Sequence, residues 1–165
     1  MPQDQTRSTS PESLLVREIA IDDAEAAAQL SGELGYPVSV DAMQKRIRTV
    51  QDLPDHVVYV ACAGPVVIGW IDVGVVHHLQ GEPYGEIGGF VVSGAYRSQG
   101  VGRILLAKAE SWIRERGITQ VVVRSRITRE SAHRFYLREG YSRTKTSVVF
   151  SKELPVLTNP DARKA

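Results

Sequence analysis

The spacing of apolar residues along the chain predicts a series of strands. Residues His56–Ala63 and Val66–His78 are rich in β-branched residues and are separated by a Gly-Pro turn, so they predict a β-hairpin. Residues 84–92 predict a third long strand, and residues 14–19 and 119–126 predict shorter ones. Because a strand, helix, strand order requires a right-handed crossover, the strand at 119–126 should run parallel to the central one.

Helices are predicted where apolar residues recur every three or four positions between capping residues. Asp22, with Glu25 three residues later, predicts the start of a first helix, and Gly35 predicts its end. Ser39 is the expected N-cap of a second helix, and residues 129–139 predict a short fourth one. The buried faces of the second and third helices are predicted to carry Val40, Met43, Ile47 and Val50, and Val101, Leu105, Ala109 and Trp112, respectively.

These elements predict one α/β domain over residues 14–154. Residues 1–13 are polar and are expected to be a disordered tail, and residues 155–165 a loose C-terminal tail. The last extended segment, residues 141–153, is too short for two strands and a turn, so it predicts one long bent strand. That arrangement would leave a sheet edge open, and a homodimer in which a second subunit covers this edge is the hypothesis that follows.

Composition and charge narrow the class of partner. The chain has 165 residues with 20 Lys and Arg against 19 Asp and Glu, a net charge of +1, so we expect neither nucleic acid nor a membrane as partner. No apolar run approaches the roughly 18 residues of a membrane span, and residues 1–13 lack the apolar segment of a signal peptide. We therefore expect a cytoplasmic protein.

The histidines and the single cysteine do not predict a metal site or a covalent nucleophile. His77 and His78 are adjacent on a strand and point to opposite faces, so they cannot easily bind one metal ion together. Cys62 is the only cysteine, which excludes an intramolecular disulfide. It lies in an apolar strand without clustered cations, so the sequence does not favour a reactive thiol there.

The turn from Arg97 to Gly102 carries the clearest chemical signal. It links an apolar strand to a helix and has the pattern Arg-x-x-Gly-x-Gly. Backbone N–H groups at a helix start attract an anion, and Arg97 and Arg103 add full positive charges. The sequence therefore predicts a phosphate-binding turn. It is neither a P-loop, which needs Gly-Lys-Ser/Thr, nor a dinucleotide fingerprint, which needs Gly where Leu105 stands.

This turn resembles the acetyl-CoA pyrophosphate motif of the GCN5-related N-acetyltransferase (GNAT) superfamily. The stretch from Ser131 to Tyr141, SAHRFYLREGY, resembles the second signature of the same superfamily, in the expected order. The resemblance covers roughly residues 14–153 and is greatest to bacterial small-molecule members, including those labelled aminoglycoside acetyltransferase-like. It implies an acyl-CoA N-acyltransferase fold: a mixed, mostly antiparallel sheet flanked by helices, with splayed parallel central strands.

The resemblance also implies which residues hold acetyl-CoA. Backbone groups of the central strand should bind the pantetheine arm. Arg129 stands where many members carry an Asn that contacts pantetheine, so it is the predicted contact here. The expected acetyl-CoA residues are therefore Phe90, Val91 and Val92 of the strand, Arg97, Ser98, Gln99, Gly100, Val101, Gly102 and Arg103 of the turn and helix start, and Arg129.

The implied reaction is direct transfer of the acetyl group to a primary amine of a small molecule. An alkyl amine has a pKa of about 10, so a base has to remove its proton at neutral pH. Glu86 lies eleven residues before Arg97, the offset at which the histone acetyltransferase branch carries its general base. Tyr136 corresponds to the tyrosine that gives a proton to the departing thiolate. Gly88 and Gly89 leave room for a ligand or a bulge.

Other assignments stay open at this point. Glu86 could be a solvent-facing residue, with a water molecule, His77 or His78 as the base, and Tyr136 could be a core aromatic residue. The whole chain could instead acetylate a protein or peptide, which would require an open peptide groove, or be a non-catalytic acyl-CoA-binding regulatory module. The sequence names neither the amine acceptor nor the length of the acyl chain.

Overall fold

The computed structural model describes residues 14–156, and they divide into two compact units at Thr128 and Arg129. The first unit contains a five-stranded sheet with the order β1-β2-β3-β4-β5. Strands β1 to β4 are antiparallel neighbours, and β4 and β5 are parallel, as the crossover rule predicts. The strands are β1 (Leu14–Glu18), β2 (His56–Ala63), β3 (Val66–His78), β4 (Gly81–Val92) and β5 (Val121–Val123).

Three α-helices among the described residues cover the sheet of the first unit, and one α-helix belongs to the second unit. They are α1 (Ala24–Leu34), α2 (Val40–Gln51), α3 (Val101–Arg114) and, in the second unit, α4 (Glu130–Arg138). The predicted caps at Ser39 and Gly35 are confirmed: Ser39 Oγ accepts from the Ala42 N–H at 3.2 Å, and Gly35 ends α1 with a φ of +96°.

The start of the first helix differs from the prediction by one residue. Asp22 is not the capping residue, because the neighbouring Asp23 has a stronger set of partners. The Asp23 carboxylate accepts from the Ala20 N–H at 2.7 Å and from both terminal nitrogens of Arg17, at 2.7 and 2.8 Å. Hydrogen bonding to Arg17 lowers the pKa of this buried carboxyl. A tertiary ion pair therefore decides where the chain enters α1.

The core lies on both faces of the sheet. On one face, Met43 and Ile47 of α2 belong to the same buried cluster as Val58 and Val60 of β2. The opposite face is covered by α3, whose four predicted inward residues, Val101, Leu105, Ala109 and Trp112, are all buried. The prediction for Val40 is wrong: its side chain is 40% exposed, because it is the first residue of α2 and precedes the turn that packs on the sheet.

The second unit is α4 followed by a chain without regular structure. No helix or strand is formed by residues 141–156, so the predicted strand at 141–153 is wrong. The physical reason is that a strand needs a neighbour for its backbone hydrogen bonds, and this unit contains none. The predicted N-terminal tail and residues 157–165 lie outside the described residues. No described helix is long and apolar enough to cross a membrane.

The contact between α3 and β4 gives a test of the fold. A Cβ added at Gly85 would overlap Cδ1 of Ile113 and lie 2.7 Å from its Cγ1, and Ile113 is fully buried. We expect Gly85→Ala to lower the free energy of unfolding by about 1–3 kcal/mol through overpacking. Gly32→Ala is the matched control, because a Cβ on Gly32 of α1 meets nothing within 4 Å. Urea titration of both variants measures the difference, and equal stability would contradict this packing.

Candidate active site

The start of α3 presents backbone amides at an open turn. The first hydrogen bond of the helix runs from the Ile104 N–H to the Gly100 carbonyl, at 3.2 Å. The N–H groups of Val101 and Gly102 therefore have no acceptor within the helix. A Cβ built on Gly100 would meet no atom within 4 Å, so the space beside the turn is open. This is the geometry that a helix start needs to bind an anion.

The turn before α3 has a left-handed backbone at two positions. Gly100 has a φ of +84°, and Ser98 has a φ of +62°, the one positive φ among described residues other than glycine. Left-handed residues of this kind turn neighbouring N–H groups toward a common concavity, which is a typical anion-binding nest. Backbone strain at a residue such as Ser98 is found mostly at ligand sites, where surrounding structure holds it in place.

Two side chains hold the turn in this shape. Arg97 Nε donates to the carbonyl of Val92, the last residue of β4, at 3.1 Å, and Gln99 Nε2 donates to the Ala95 carbonyl at 3.1 Å. The structure thus brings the predicted phosphate-binding residues 97–103 together with the end of β4. The side chain of Arg103, in the first turn of α3, is exposed.

Strand β4 extends beyond β5 toward this turn. Their pairing joins Gly85–Ile87 with Val121–Val123 and stops there, whereas β4 continues to Val92. The register between β3 and β4 shifts at Gly88, since Asp72 pairs with Gly89 and Val73 with Ile87. Gly88 and Gly89 were predicted to leave room for a ligand or a bulge, and a bulge is present. The part of β4 beyond its last pair with β5 contains Phe90, Val91 and Val92. These are the strand residues predicted to contact acetyl-CoA.

Glu86 points away from α3 and is ion-paired. Because Gly85 faces α3, the adjacent Glu86 points to the opposite sheet face, and its side chain is 27% exposed. Glu86 Oε2 forms an ion pair with Arg124 Nη1, and this hydrogen bond raises the pKa of the Arg124 guanidinium. Arg124 Nη2 also donates to the Tyr84 hydroxyl at 3.4 Å. Arg124 was not identified from the sequence, although the parallel pairing of Glu86 with Val122 places it nearby.

A second carboxylate lies on the same sheet face as Glu86. Glu86 pairs with Gly74 of β3, and Asp72 is two residues before Gly74, so it lies on the same face. Asp72 Oδ1 lies 2.7 Å from His56 Nε2. The indole Nε1 of Trp70, also on this face, is buried with no hydrogen-bond partner among the described residues. Sequence reasoning missed all three side chains. The register of the predicted β2–β3 hairpin was the signal that could have placed His56, the partner of Gly74, near Asp72 two residues away.

The His56–Asp72 pair predicts a pH-dependent contribution to stability. Hydrogen bonding to Asp72 raises the pKa of His56 above its ordinary value of 6.5, against a smaller opposing effect of burial. Because the pKa of His56 is higher in the folded than in the unfolded protein, the ion pair contributes its full stabilisation of the fold below about pH 6.5. This contribution is lost as the pH rises through the pKa of His56 in the folded protein. We therefore expect the wild type to have a higher free energy of unfolding than Asp72→Asn at pH 5.5. This difference should become smaller as the pH is raised to 8.5.

Chemical denaturation at several pH values measures this difference. Asp55→Asn is the control, because Asp55 lies 3.7 Å from His77 and both side chains are more than half exposed. That variant should show a small difference with little pH dependence. A wild-type advantage over Asp72→Asn that stayed constant with pH would show that His56 does not titrate with the carboxylate.

The second unit carries Arg129 and Tyr136. Tyr136 lies on α4 between two aromatic rings, with centroid distances of 5.4 Å to Phe135 and 5.6 Å to Tyr141. Burial raises the pKa of Tyr136 to about 12, and the positive charge of Arg129 opposes this rise. The phenol is therefore neutral at physiological pH. Arg129 itself immediately precedes α4.

The remaining candidates have local partners. His78 Nε2 lies 3.3 Å from the Tyr84 hydroxyl oxygen. The side chains of His77 and His78 are both exposed. Cys62 is buried, and its burial raises the pKa of its thiol, so it is not an activated nucleophile. Among residues 14–156 no group of three or more His, Cys, Asp or Glu side chains is arranged to hold a metal ion.

Comparison with known proteins identifies the same fold and chemistry. The model of the acetyltransferase (GNAT) family matches residues 20–141. The chain is 28% identical over 144 residues to an aminoglycoside N(6')-acetyltransferase type 1 of Stenotrophomonas maltophilia, covering 84% of this chain and 93% of the relative. It is 40% identical over 79 residues to an aminoalkylphosphonate N-acetyltransferase of Salmonella typhimurium, covering 47% of this chain and 51% of the relative.

Solved structures agree with the predicted fold. An aminoglycoside N-acetyltransferase, AAC(6')-Iy, in complex with CoA superposes with a TM-score of 0.78 at 17% identity, over 88% of this chain and 99% of that one. The same enzyme with a bisubstrate analogue gives a TM-score of 0.76 at 18% identity, over 86% of this chain and 99% of that one. The fold predicted from the two signatures is confirmed.

Proposed function

This chain belongs to the acetyltransferase (GNAT) family, and we propose that it transfers the acetyl group of acetyl-CoA to a primary amine of a small cationic molecule. The observation that carries the proposal is that β4 extends to Val92, beyond its last pair with β5 at Ile87, and leads into the turn with left-handed Ser98 and Gly100. A strand with an open side next to free helix amides suits a ligand that combines an amide-containing arm with a diphosphate. Coenzyme A has both parts.

The donor site is assigned from these features. The amides of Val101 and Gly102, with Arg97 and Arg103, bind the diphosphate, and Ser98, Gln99 and Gly100 shape the turn around it. The backbone of Phe90, Val91 and Val92 binds the pantetheine arm in the manner of an added strand. Arg129 is the contact proposed from the second unit.

The acceptor site is assigned to the sheet face that carries Glu86 and Asp72. Two carboxylates on one face favour a cationic acceptor over a neutral one, since each can attract an ammonium group. The buried Trp70 Nε1 supports the assignment, because a donor without a partner is uncommon in a folded protein and often marks a ligand site. The acceptor ammonium competes with Arg124 for Glu86, so Arg124 holds the carboxylate in place until the acceptor binds.

The reaction proceeds in a ternary complex of protein, acetyl-CoA and amine. Glu86 takes a proton from the ammonium, and the amine nitrogen then forms a bond to the acetyl carbon while the carbon–sulfur bond breaks. Tyr136 donates a proton to the leaving sulfur, and the second proton of the nitrogen is released through solvent and restores the phenol. A pKa of about 12 makes the Tyr136 phenol a weaker acid than a thiol. The positive charge of Arg129 stabilises the phenolate and so reduces this difference in acidity.

Further parts of the proposal concern the organisation and setting of the protein. Residues 14–154 are proposed to act as one functional domain, because the family match at 20–141 continues across the boundary between the two units. We propose a cytoplasmic enzyme, and the balanced charge, +1 overall, supports partners that are neither nucleic acid nor membrane. We also propose a homodimer in which a second subunit covers the side of β5 that no described strand pairs.

A panel of amines tests the acceptor class. The protein is incubated with acetyl-CoA and aminoglycosides, aminoalkylphosphonates, polyamines or lysine-containing peptides, and acetylated product is measured by mass spectrometry. We expect product with small molecules that carry two or more amines and none with peptides. Preferred acetylation of peptides would instead support a protein acetyltransferase. Binding of CoA without product from any amine would support a non-catalytic acyl-CoA-binding module.

A further inference from the structure

A histidine stands on the same sheet face as the two carboxylates assigned to the acceptor. His56 of β2 pairs with Gly74 of β3, and Gly74 pairs with Glu86 of β4. Directly paired residues point to the same face, so the side chains of His56 and Glu86 flank a residue that has no side chain. A Cβ built on Gly74 would lie 2.9 Å from His56 Nδ1, so the imidazole ring covers Gly74. His56 therefore borders the acceptor site.

The ring of His56 is directed at Asp72, the second carboxylate of this face. Its Nε2 lies 2.7 Å from Asp72 Oδ1, and the two side chains are 24% and 29% exposed. A Cβ built on Gly88 would lie 3.4 Å from the same Oδ1, so the missing side chain at the bulge leaves Asp72 open toward β4. A ligand on the Glu86 side can therefore reach the carboxylate that His56 already contacts.

The spacing of the two carboxylates fits a molecule with two amines. Asp72 and Glu86 are diagonal neighbours, because Asp72 lies two residues before the sheet partner of Glu86. Such neighbours are about 7–8 Å apart in an antiparallel pair. The two nitrogen atoms of an extended five-carbon diamine are separated by a similar distance. One ammonium group can then meet Glu86 while the other meets Asp72.

A cavity beside His56 gives the ring a place to move when it leaves Asp72. This cavity has a volume of about 260 Å³, and its wall includes His56 together with Ile19, Val50, Gln51 and Val58. A neutral imidazole can turn into this space at low cost, whereas an imidazolium would give up its carboxylate partner. Whether His56 stays on Asp72 therefore depends on its protonation.

The other ionisable side chains near His56 are carboxylates with different surroundings. Glu86 is ion-paired with Arg124, and the carboxylate of Asp55 lies 3.7 Å from His77. The cavity wall also contains Glu18 of β1, whereas the residues that α2 contributes to it carry no charge. Asp72 is the neighbour whose hydrogen bond raises the pKa of His56. The proton of His56 is therefore held mainly by Asp72.

We infer that His56 is a positioning residue of the acceptor site: its imidazolium occupies Asp72 before the acceptor binds, and the second ammonium group of a diamine acceptor displaces it. A partly buried carboxylate is costly to leave unpaired, so one cation replaces the other. A diamine therefore binds more tightly once His56 has lost its proton, while a monoamine, which needs only Glu86, is unaffected. This inference rests on the proposed function, which places the acceptor on this face.

Calorimetry with two amines of equal length tests the inference. Pentane-1,5-diamine and pentylamine are titrated into the protein with CoA present, at pH 5.5 and at pH 8.5. We expect the diamine to bind about tenfold more tightly than pentylamine at pH 8.5, through one additional partly buried ion pair. Because the pKa of His56 is above 6.5, about nine-tenths or more of the imidazole is protonated at pH 5.5, so this advantage should largely disappear there.

The wild type alone can contradict the inference. An advantage of the diamine that is the same at both pH values would overturn it, because His56 would then not compete for Asp72. Equal affinities for the two amines at pH 8.5, or no binding of the diamine at either pH, would overturn it as well, because Asp72 would then bind no second ammonium group.

Three variants assign the pH effect to the pair. His56→Gln should keep the tenfold advantage of the diamine at both pH values, and Asp72→Asn should lose it at both. His77→Gln changes an exposed histidine that lies 3.7 Å from Asp55, and it should retain the pH dependence of the wild type. A pH dependence that persisted in His56→Gln would overturn the inference.

Proton release gives a readout that a purely structural histidine would not change. Calorimetry at pH 7 in buffers of different ionisation enthalpy counts the protons released on binding. The diamine should release protons from the wild type but not from His56→Gln, and pentylamine should release none from either. Release by the diamine that is equal in both proteins would contradict displacement of His56.

Mass spectrometry separates the role of His56 from the proposed reaction. Diamine binding that depends on pH, without any acetylated product, would contradict the proposed acetyl transfer and leave the role of His56 intact. Acetylation of the diamine with the same preference over pentylamine at both pH values would contradict the role of His56 and leave the reaction intact.

Discussion

Glu86→Gln should lower kcat/KM for the best amine acceptor by about 10²- to 10⁴-fold, the range expected when a general base is removed. Glutamine has nearly the same shape as glutamate but cannot take the proton from the ammonium. The residual activity should rise with pH toward about 10, because the reaction would then depend on the fraction of acceptor already deprotonated. Initial rates from pH 6 to 10 measure both effects.

The ion pair with Arg124 requires a control, since Glu86 could matter only as its partner. Arg124→Gln breaks the same pair but leaves the carboxylate, so it should retain activity within a few fold of the wild type. Glu82→Gln changes an exposed glutamate of the same strand and should have no effect. If Glu86→Gln and Arg124→Gln lowered kcat/KM equally, the pair would be structural, and the base would be a water molecule or a histidine. Tyr136→Phe, measured alongside, separates loss of the proton donor from loss of the base.

Gly102→Asp should weaken binding of CoA by about ten- to several-hundredfold. The new carboxylate would lie in the first turn of α3, next to the amides assigned to the diphosphate. Two like charges about 4 Å apart repel by about 1–4 kcal/mol at the effective dielectric constants of a protein surface, and the anion also loses the favourable helix start. Isothermal calorimetry with CoA measures the dissociation constant, and the loss should diminish at high salt.

Two glycine variants make this charge effect specific. Gly102→Ala adds a side chain without charge and should change the affinity for CoA much less than Gly102→Asp does. Gly32→Asp adds the same charge on α1, where an added Cβ meets nothing within 4 Å, and should leave CoA binding unchanged. Wild-type affinity for CoA in Gly102→Asp would remove the diphosphate from the start of α3, and the donor site proposed here would be wrong.

Features that depend on local sequence were predictable. The bounds of β2 and β3 follow the sequence pattern directly, because β-branched runs end at turn residues on both sides. The caps at Ser39 and Gly35 were also found, since a capping hydrogen bond joins residues only a few positions apart. The phosphate-binding turn was recognised for the same reason: all its residues are neighbours in the chain.

Features that depend on contacts between distant residues were not predictable in the same way. Asp23, the last residue of a 3-10 turn at Ile21–Asp23, accepts the hydrogen bond from the Ala20 N–H instead of Asp22, and Arg17 of β1 holds its carboxylate. The ion pair of Glu86 with Arg124 and the pair of His56 with Asp72 join different strands, so they require the sheet register. The strand expected at 141–153 had the right composition but lacks a partner in the single chain, and composition alone does not supply one.

The burial of Cys62 has a practical consequence for enzymology. It is the only thiol in the chain, it is enclosed by the sheet and helices, and its pKa is raised. Disulfide reagents that turn yellow on reaction with sulfhydryl groups should therefore consume the coenzyme thiol as it is released and spare the protein. Turnover can then be followed continuously in a spectrophotometer, without inactivation of the catalyst by the indicator.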